Sequence, residues 1–315
     1  MPPTIDQRTS LWGIAHDALP VIARFGRGKV TEAEVRAELE ADATERIAGT
    51  TQGQVAVIPL QGVITPYGTL FSILRGGGGG LQAFRASLAE AVADDDISTI
   101  LIAINSPGGR VDLVPEAAAD VRAAGAKKKV VAVASTLAAS AAYWIGSQAQ
   151  EFIVSPSGDV GSIGVFLVHE DWSGFDEQMG IKTTLVSAGK YKTAGNMFEP
   201  LSEEARKVLQ EGVDEVYDQF VADVATGRHA SEEAVRNGFG EGACVGSQRA
   251  VDLGLADGIA TFEETASRLV QEARGGRRAE AEPHEDLAGN DGEDKTLLAQ
   301  MREQLDQVTE SLKGD

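Results

Sequence analysis

Between about residues 54 and 269 the apolar positions of this 315-residue chain fall into two alternating kinds of stretch. Short continuous apolar runs occur in Gln54-Val-Ala-Val-Ile-Pro-Leu-Gln-Gly62, Ser98-Thr-Ile-Leu-Ile-Ala-Ile104, Val130-Val-Ala-Val-Ala134 and Glu151-Phe-Ile-Val154. Their length and β-branched content predict buried strands. Between them, helical spacing predicts helices at about 81–94 and 112–125, and a shorter one opening after residue 140. Strands alternating with helices predict an α/β fold with a mainly parallel sheet, in which functional loops gather at the carboxyl ends of the strands. A further strand is expected at Ile181-Lys-Thr-Thr-Leu-Val186.

The two ends read differently. In residues 1–50, Leu11, Ile14, Ala15 and Leu19 stand at helical spacing and Thr31-Glu-Ala-Glu34 resembles a helix start, which predicts a helical N-terminal arm. Gly76 to Gly80 predict a loop; no Gly-Lys-Ser/Thr follows them, so a phosphate cradle is not indicated. The central domain is expected over 51–268. Residues 269–296 read as an acidic disordered linker containing Arg274-Gly-Gly-Arg-Arg278. In 297–315, Leu298, Met301, Leu305, Val308 and Leu312 repeat at heptad spacing and predict an amphipathic helix, a candidate scaffold or coiled-coil segment.

Charge narrows the choice of partners. A formal net charge of −20 disfavours non-specific binding to nucleic acid. The single cysteine, Cys244, allows no internal disulfide and no cysteine-cluster metal site. No apolar run approaches the ~20 residues of a membrane span, and the N-terminus lacks the layout of a secretory signal. A cytoplasmic setting without stable membrane insertion is therefore expected, and neither a metal nor a cofactor is called for.

The candidate chemistry centres on Ser140, which follows the run 130–134 and opens a stretch of small residues, Ala138-Ala-Ser-Ala-Ala-Tyr-Trp144. A serine at a strand-to-helix turn lies near free backbone N–H groups, and small neighbours let a carbonyl approach. Its companions are Asn105-Ser-Pro-Gly-Gly109, Gly161-Ser-Ile-Gly-Val165 and the lysine segment Ser187-Ala-Gly-Lys-Tyr-Lys192. A serine hydroxyl needs a base to become nucleophilic. Histidines 16, 169, 229 and 284 have no legible triad setting, which favours a lysine base. Spacing leaves Lys190 and Lys192 both open. Ser162 could hold the neutral amine, and the Pro107-Gly108-Gly109 turn could present N–H groups to an oxyanion.

On these motifs the chain resembles the SppA-type (signal peptide peptidase A) serine peptidases, which have a ClpP/crotonase-like fold of repeated ββα-type units. The resemblance covers about residues 50–265. Further carriers are Gly62-Val-Ile, Gly195-Asn-Met-Phe-Glu-Pro-Leu-Ser202 and Ala250-Val-Asp-Leu-Gly-Leu-Ala-Asp257. It implies Ser140 as nucleophile, Lys192 as general base, Ser162 as the lysine-orienting hydroxyl and the Gly108 amide as oxyanion donor. Gly109, Gly62 and Ala141 complete the implied oxyanion and substrate-binding region. Alanines rather than glycines after Ser140, together with Tyr143-Trp144 and residues 196–200, make the chain similar to the phage and prophage head-maturation branch. The resemblance also implies protein or peptide substrates such as scaffold and capsid proteins, homo-oligomers, and a host-cytoplasm or procapsid setting. The alternatives are a cellular SppA-like peptidase acting on peptide fragments and a catalytically silent assembly scaffold.

Overall fold

A computed structural model describes residues 12–14, 50–52, 54–68 and 80–280. Most of the N-terminal arm, the glycines 76–79, residues 281–296 of the linker and the terminal heptads lie outside the described residues.

The central sheet runs in the order β10-β7-β6-β4-β3-β2. Its members are β2 (Thr50–Gln52), β3 (Val55–Gln61), β4 (Thr99–Ser106), β6 (Lys129–Ala139), β7 (Glu151–Val154) and β10 (Gly258–Ile259). All neighbours pair parallel except β2, which is antiparallel to β3. Helices α1 (Gly80–Ala93) and α2 (Val114–Gly125) are the crossovers expected from the sequence. Besides β4, strand β6 serves two neighbours. Val131 to Ala134 pair with β7, and Leu137 to Ala139 pair with β8 (Asp159–Gly161). β8 in turn pairs antiparallel with β9 (Cys244–Gly246).

Alternation along the strands sends residues to two cores, as a sheet covered on both faces requires. Ile58, Ile100, Ile102 and Ile104 face a core shared with α1, α2, α3 (Ala141–Gly146) and α5 (Glu203–Gly227). Val57, Leu101, Val131 and Val133 face the other side, covered by Phe262, Ala266 and Leu269 of α8 (Phe262–Glu280). Helix α3 is pinned at both flanks. Trp144 stacks on Phe220 with ring centroids 4.4 Å apart, and its Nε1 donates to Asp223 at 2.9 Å. The buried Tyr143 hydroxyl donates to the Leu255 carbonyl at 2.9 Å, and burial raises its pKa above the ordinary phenol value.

Three expectations are corrected. Trp12–Ile14 is a strand, β1, pairing antiparallel with β5 (Gly108–Arg110), where helical spacing had suggested a helix; a long-range sheet edge overrides local periodicity. Residues 181–186 form no strand and are exposed, and among the described residues no strand is in register with them. Helix α8 continues to Glu280, into the stretch read as linker. Leu269 and Val270 anchor it on the core, and the good helix formers that follow outweigh a cost of about 1 kcal/mol per glycine.

Candidate active site

Ser140 stands where β6 ends and α3 begins, with φ 54° and ψ −122°, a conformation L-residues rarely adopt. Its backbone is fixed on both sides. The N–H donates to Gly161 O at 2.8 Å, and the carbonyl accepts from Trp144 N at 2.9 Å. The side chain is fully buried, and Oγ has no hydrogen-bond partner among the described residues. A strained, desolvated, uncommitted hydroxyl is costly to the fold, on the order of 1–3 kcal/mol for each of the two defects. Residues that carry such a cost cluster at active sites.

Ser162 directly follows β8, also with positive φ (52°), and its N–H donates to Ala243 O at 3.0 Å. Because Ala139 is in register with Gly161, Ser140 and Ser162 leave adjacent strands at the same level.

The glycine turn is built differently from expectation. Gly108, at φ 92°, turns its N–H back to Ser106 Oγ at 3.1 Å, so this amide is already engaged. Gly62 likewise donates its N–H, to Asn105 O at 2.9 Å. Ile64 N bonds Gly108 O and Arg110 N bonds Ile64 O, at 2.8 and 2.9 Å. In a strand, polar groups alternate between edges, so the N–H and C=O of Gly109 point to the opposite, outer edge. Gly109 must be glycine: a Cβ there would meet Ile64 O at 2.0 Å. Ala141, first residue of α3, has an N–H without an intrahelical acceptor. Buried Ser106, which holds the Gly108 amide, was not singled out from the sequence; its only signal was its place inside the Ser-Pro-Gly-Gly turn.

Neither lysine hydrogen-bonds Ser140 Oγ within the chain. Lys192 is exposed, in a turn closed by its N–H on Gly189 O. Lys190 is paired with Glu204 at 2.5 Å, and this hydrogen bond, reinforced by Tyr191, raises its pKa and holds it protonated. Every residue from 177 to 192 is exposed, including Met179, Ile181, Leu185, Tyr191 and Val186, which is 96% accessible. His169 Nε2 contacts Asn196 O, so it too is committed away from Ser140.

Comparison with known proteins gives this geometry its context. The model of Peptidase family S49 matches residues 122–275, which include Ser140, Ser162 and Lys192. The chain carries a peptidase family S49 domain. The ClpP/crotonase-like fold expected from the resemblance is thereby supported, and the α/β architecture with its largely parallel sheet agrees with it. The chain is 31% identical to the head-tail preconnector protein of Enterobacteria phage P21 over 231 residues, covering 70% of this chain and 44% of that protein. It is 29% identical to the capsid assembly protease of Escherichia phage lambda over 230 residues, 71% of this chain and 51% of the relative. Protease 4 of Salmonella typhi is 28% identical over 257 residues, 80% of this chain and 40% of that enzyme. The chain spans about half the length of these curated relatives. Among the described residues no helix is long and apolar enough to cross a membrane.

Proposed function

We propose that this S49-domain chain is a serine endopeptidase acting through an acyl-enzyme on Ser140, with Lys192 as base. The observation that carries the reading is the buried, strained Ser140 whose Oγ has no hydrogen-bond partner among the described residues. A neutral Lys192 amine takes the Oγ proton as Oγ attacks the substrate carbonyl. The Gly109 and Ala141 N–H groups receive the developing oxyanion, a kind of stabilisation worth about 3–4 kcal/mol per donor. The tetrahedral adduct collapses, the C–N bond breaks, and the lysine returns its proton to the leaving amine. Water then repeats the sequence on the ester and regenerates Ser140. Ser162 lies level with Ser140 and would hydrogen-bond the amine and hold it toward Ser140.

Lys192 and Ser140 share no bond within the chain, and the segment bearing Lys192 exposes a run of apolar side chains. That combination favours homo-oligomers in which residues 177–192 pack on a second copy and bring Lys192 to its Ser140. The apolar side chains supply the association energy, at roughly 25 cal/mol per Å² covered.

The name of the lambda relative, a capsid assembly protease, favours capsid-assembly proteins as substrates, and the scaffold proteins and the host-cytoplasm or procapsid setting implied by the sequence resemblance are consistent with it; Protease 4 leaves the cellular-peptidase alternative in play. A fluorophosphonate probe should label the full chain at Ser140 and leave Ser140→Ala unlabelled. Labelling that persists in Ser140→Ala defeats the assignment. Incubation with scaffold and capsid proteins, against signal-peptide fragments, separates the two substrate readings by which is cut.

A further inference from the structure

Strand β5 is only three residues long and has two edges. The inner edge is taken by Ile64, which bonds Gly108 O and Arg110 N and bridges Gly109 in parallel. The outer edge is taken by β1, antiparallel, with Trp12 opposite Arg110, Gly13 opposite Gly109 and Ile14 opposite Gly108. By the alternation already described, Gly109 directs both its N–H and its C=O at this outer edge, so Gly13 is the residue able to exchange both bonds with it. The edge is also next to the chemistry. Ser106, two residues before β5, is in register with Ala138, two residues before Ser140. Helix α3, which starts at Ala141, packs against β5.

We infer that the outer edge of β5 is a peptide-docking edge and that the chain's own residues 12–14 are seated on it as a substrate-like strand. An extended peptide joining a sheet edge is recognised through its main chain, and the glycine pair Gly13–Gly109 leaves that contact free of side chains on either strand. The strand runs antiparallel to β5, which lays the Gly13 carbonyl on the Gly109 N–H assigned to the oxyanion. The peptide bond it presents is Gly13–Ile14. A tethered segment reaches an effective concentration on the order of millimolar, enough to hold off any free peptide that binds more weakly. Residues 12–14 are therefore a built-in competitor of substrate, and their own main chain is of the kind that the site would cut. The functional half of this inference rests on the peptidase reading; the seating of the strand does not.

The test uses the full chain. In a Ser140→Ala background, which blocks any cutting, amide exchange at Gly109 is measured with and without Gly13→Pro. Proline removes the N–H that Gly13 offers and breaks the pairing, while Gly13→Ala retains it. Exchange at Gly109 should rise at least tenfold with proline and stay within about twofold with alanine. Amides of residues 100–104 should stay protected in all three, which shows that the sheet is intact. A peptide of residues 8–18 added to the proline variant should restore slow exchange. Equal exchange at Gly109 in all forms, or no effect of the peptide, overturns the inference.

With Ser140 present, Gly13→Pro should lower KM for a peptide substrate at least fivefold with kcat unchanged, and an unchanged KM overturns the competitor role. Intact mass showing loss of residues 1–13 supports the substrate-like seating. If no form cleaves any peptide while the exchange result holds, the peptidase reading falls and the seated strand stands.

Discussion

Ser140 and Ser162 each stand one residue past a matched pair, Ala139 and Gly161, in two parallel strands, and both turn to positive φ at that level. The Ser140 N–H to Gly161 O bond of 2.8 Å ties the two departures together. Two hydroxyl-bearing residues thus leave the sheet side by side, each in a conformation that its local sequence does not favour. The sheet, rather than either loop, sets their relation.

The strain at Ser140 makes stability and activity move in opposite directions. Ser140→Gly removes both the positive-φ penalty and the unpartnered buried hydroxyl. Thermal melting should show it stabilised by about 1 kcal/mol or more, while probe labelling is abolished. A variant melting below wild type would reveal a structural partner for Oγ and weaken its assignment as nucleophile.

The two lysines are separable by substitution. Lys190→Met should leave peptidase activity within about twofold, because Glu204 already holds that amine protonated. Lys192→Ala should lower kcat by at least about a hundredfold. Mixing Ser140→Ala chains with Lys192→Ala chains, each inactive alone, should restore a measurable fraction of activity. No recovery after verified subunit exchange would place the base inside each chain.

Gly109→Ala tests the turn itself. With Ile64 O 2.0 Å from the added Cβ, the turn must deform, at a cost of about 3 kcal/mol or more. Chemical denaturation should show that loss in the midpoint, and labelling of Ser140 should fall with it. An alanine variant as stable as wild type would mean that β5 and Ile64 are not so closely paired.

Acid should loosen the clamp beneath α3. Asp257 accepts Arg228 through two bonds of 2.6 and 2.9 Å and also accepts the Phe152 N–H at 2.7 Å. Burial pushes its carboxyl up, but Arg228 and the Phe152 N–H outweigh that and hold its pKa below the ordinary carboxylate value. A depressed folded-state pKa contributes stability that is complete above the unfolded value, about 3.9, and is lost as pH falls through the folded one. Melting temperature should decline below about pH 4, and Asp257→Asn should flatten that limb while lowering stability at neutral pH. An identical acid limb in the variant would assign the effect to other carboxylates.

Much of the fold was legible because buried parallel strands declare themselves as apolar runs. Glu151–Val154 occupies the bounds read from sequence, and β4 lies within two residues of them. What escaped depended on distant partners. The strand at Trp12–Ile14 exists through Gly108–Arg110, almost a hundred residues away. The run 181–186 carries strand-forming residues but pairs with no strand among the described residues. At the site, Ser140, Ser162 and the glycine turn were visible as motifs. Which glycine amide faces the outer edge of β5 depended on Ser106 and Ile64, and which lysine is committed depended on Glu204.

The exposed stretch 177–192 has a kinetic consequence. For a chain whose base is supplied by its neighbour, the rate per chain rises with concentration and vanishes on dilution. A solitary molecule then carries a complete nucleophile and a complete base that never meet. Proteolysis would begin only where copies are crowded together, so the timing of cleavage becomes a matter of local density and needs no separate signal.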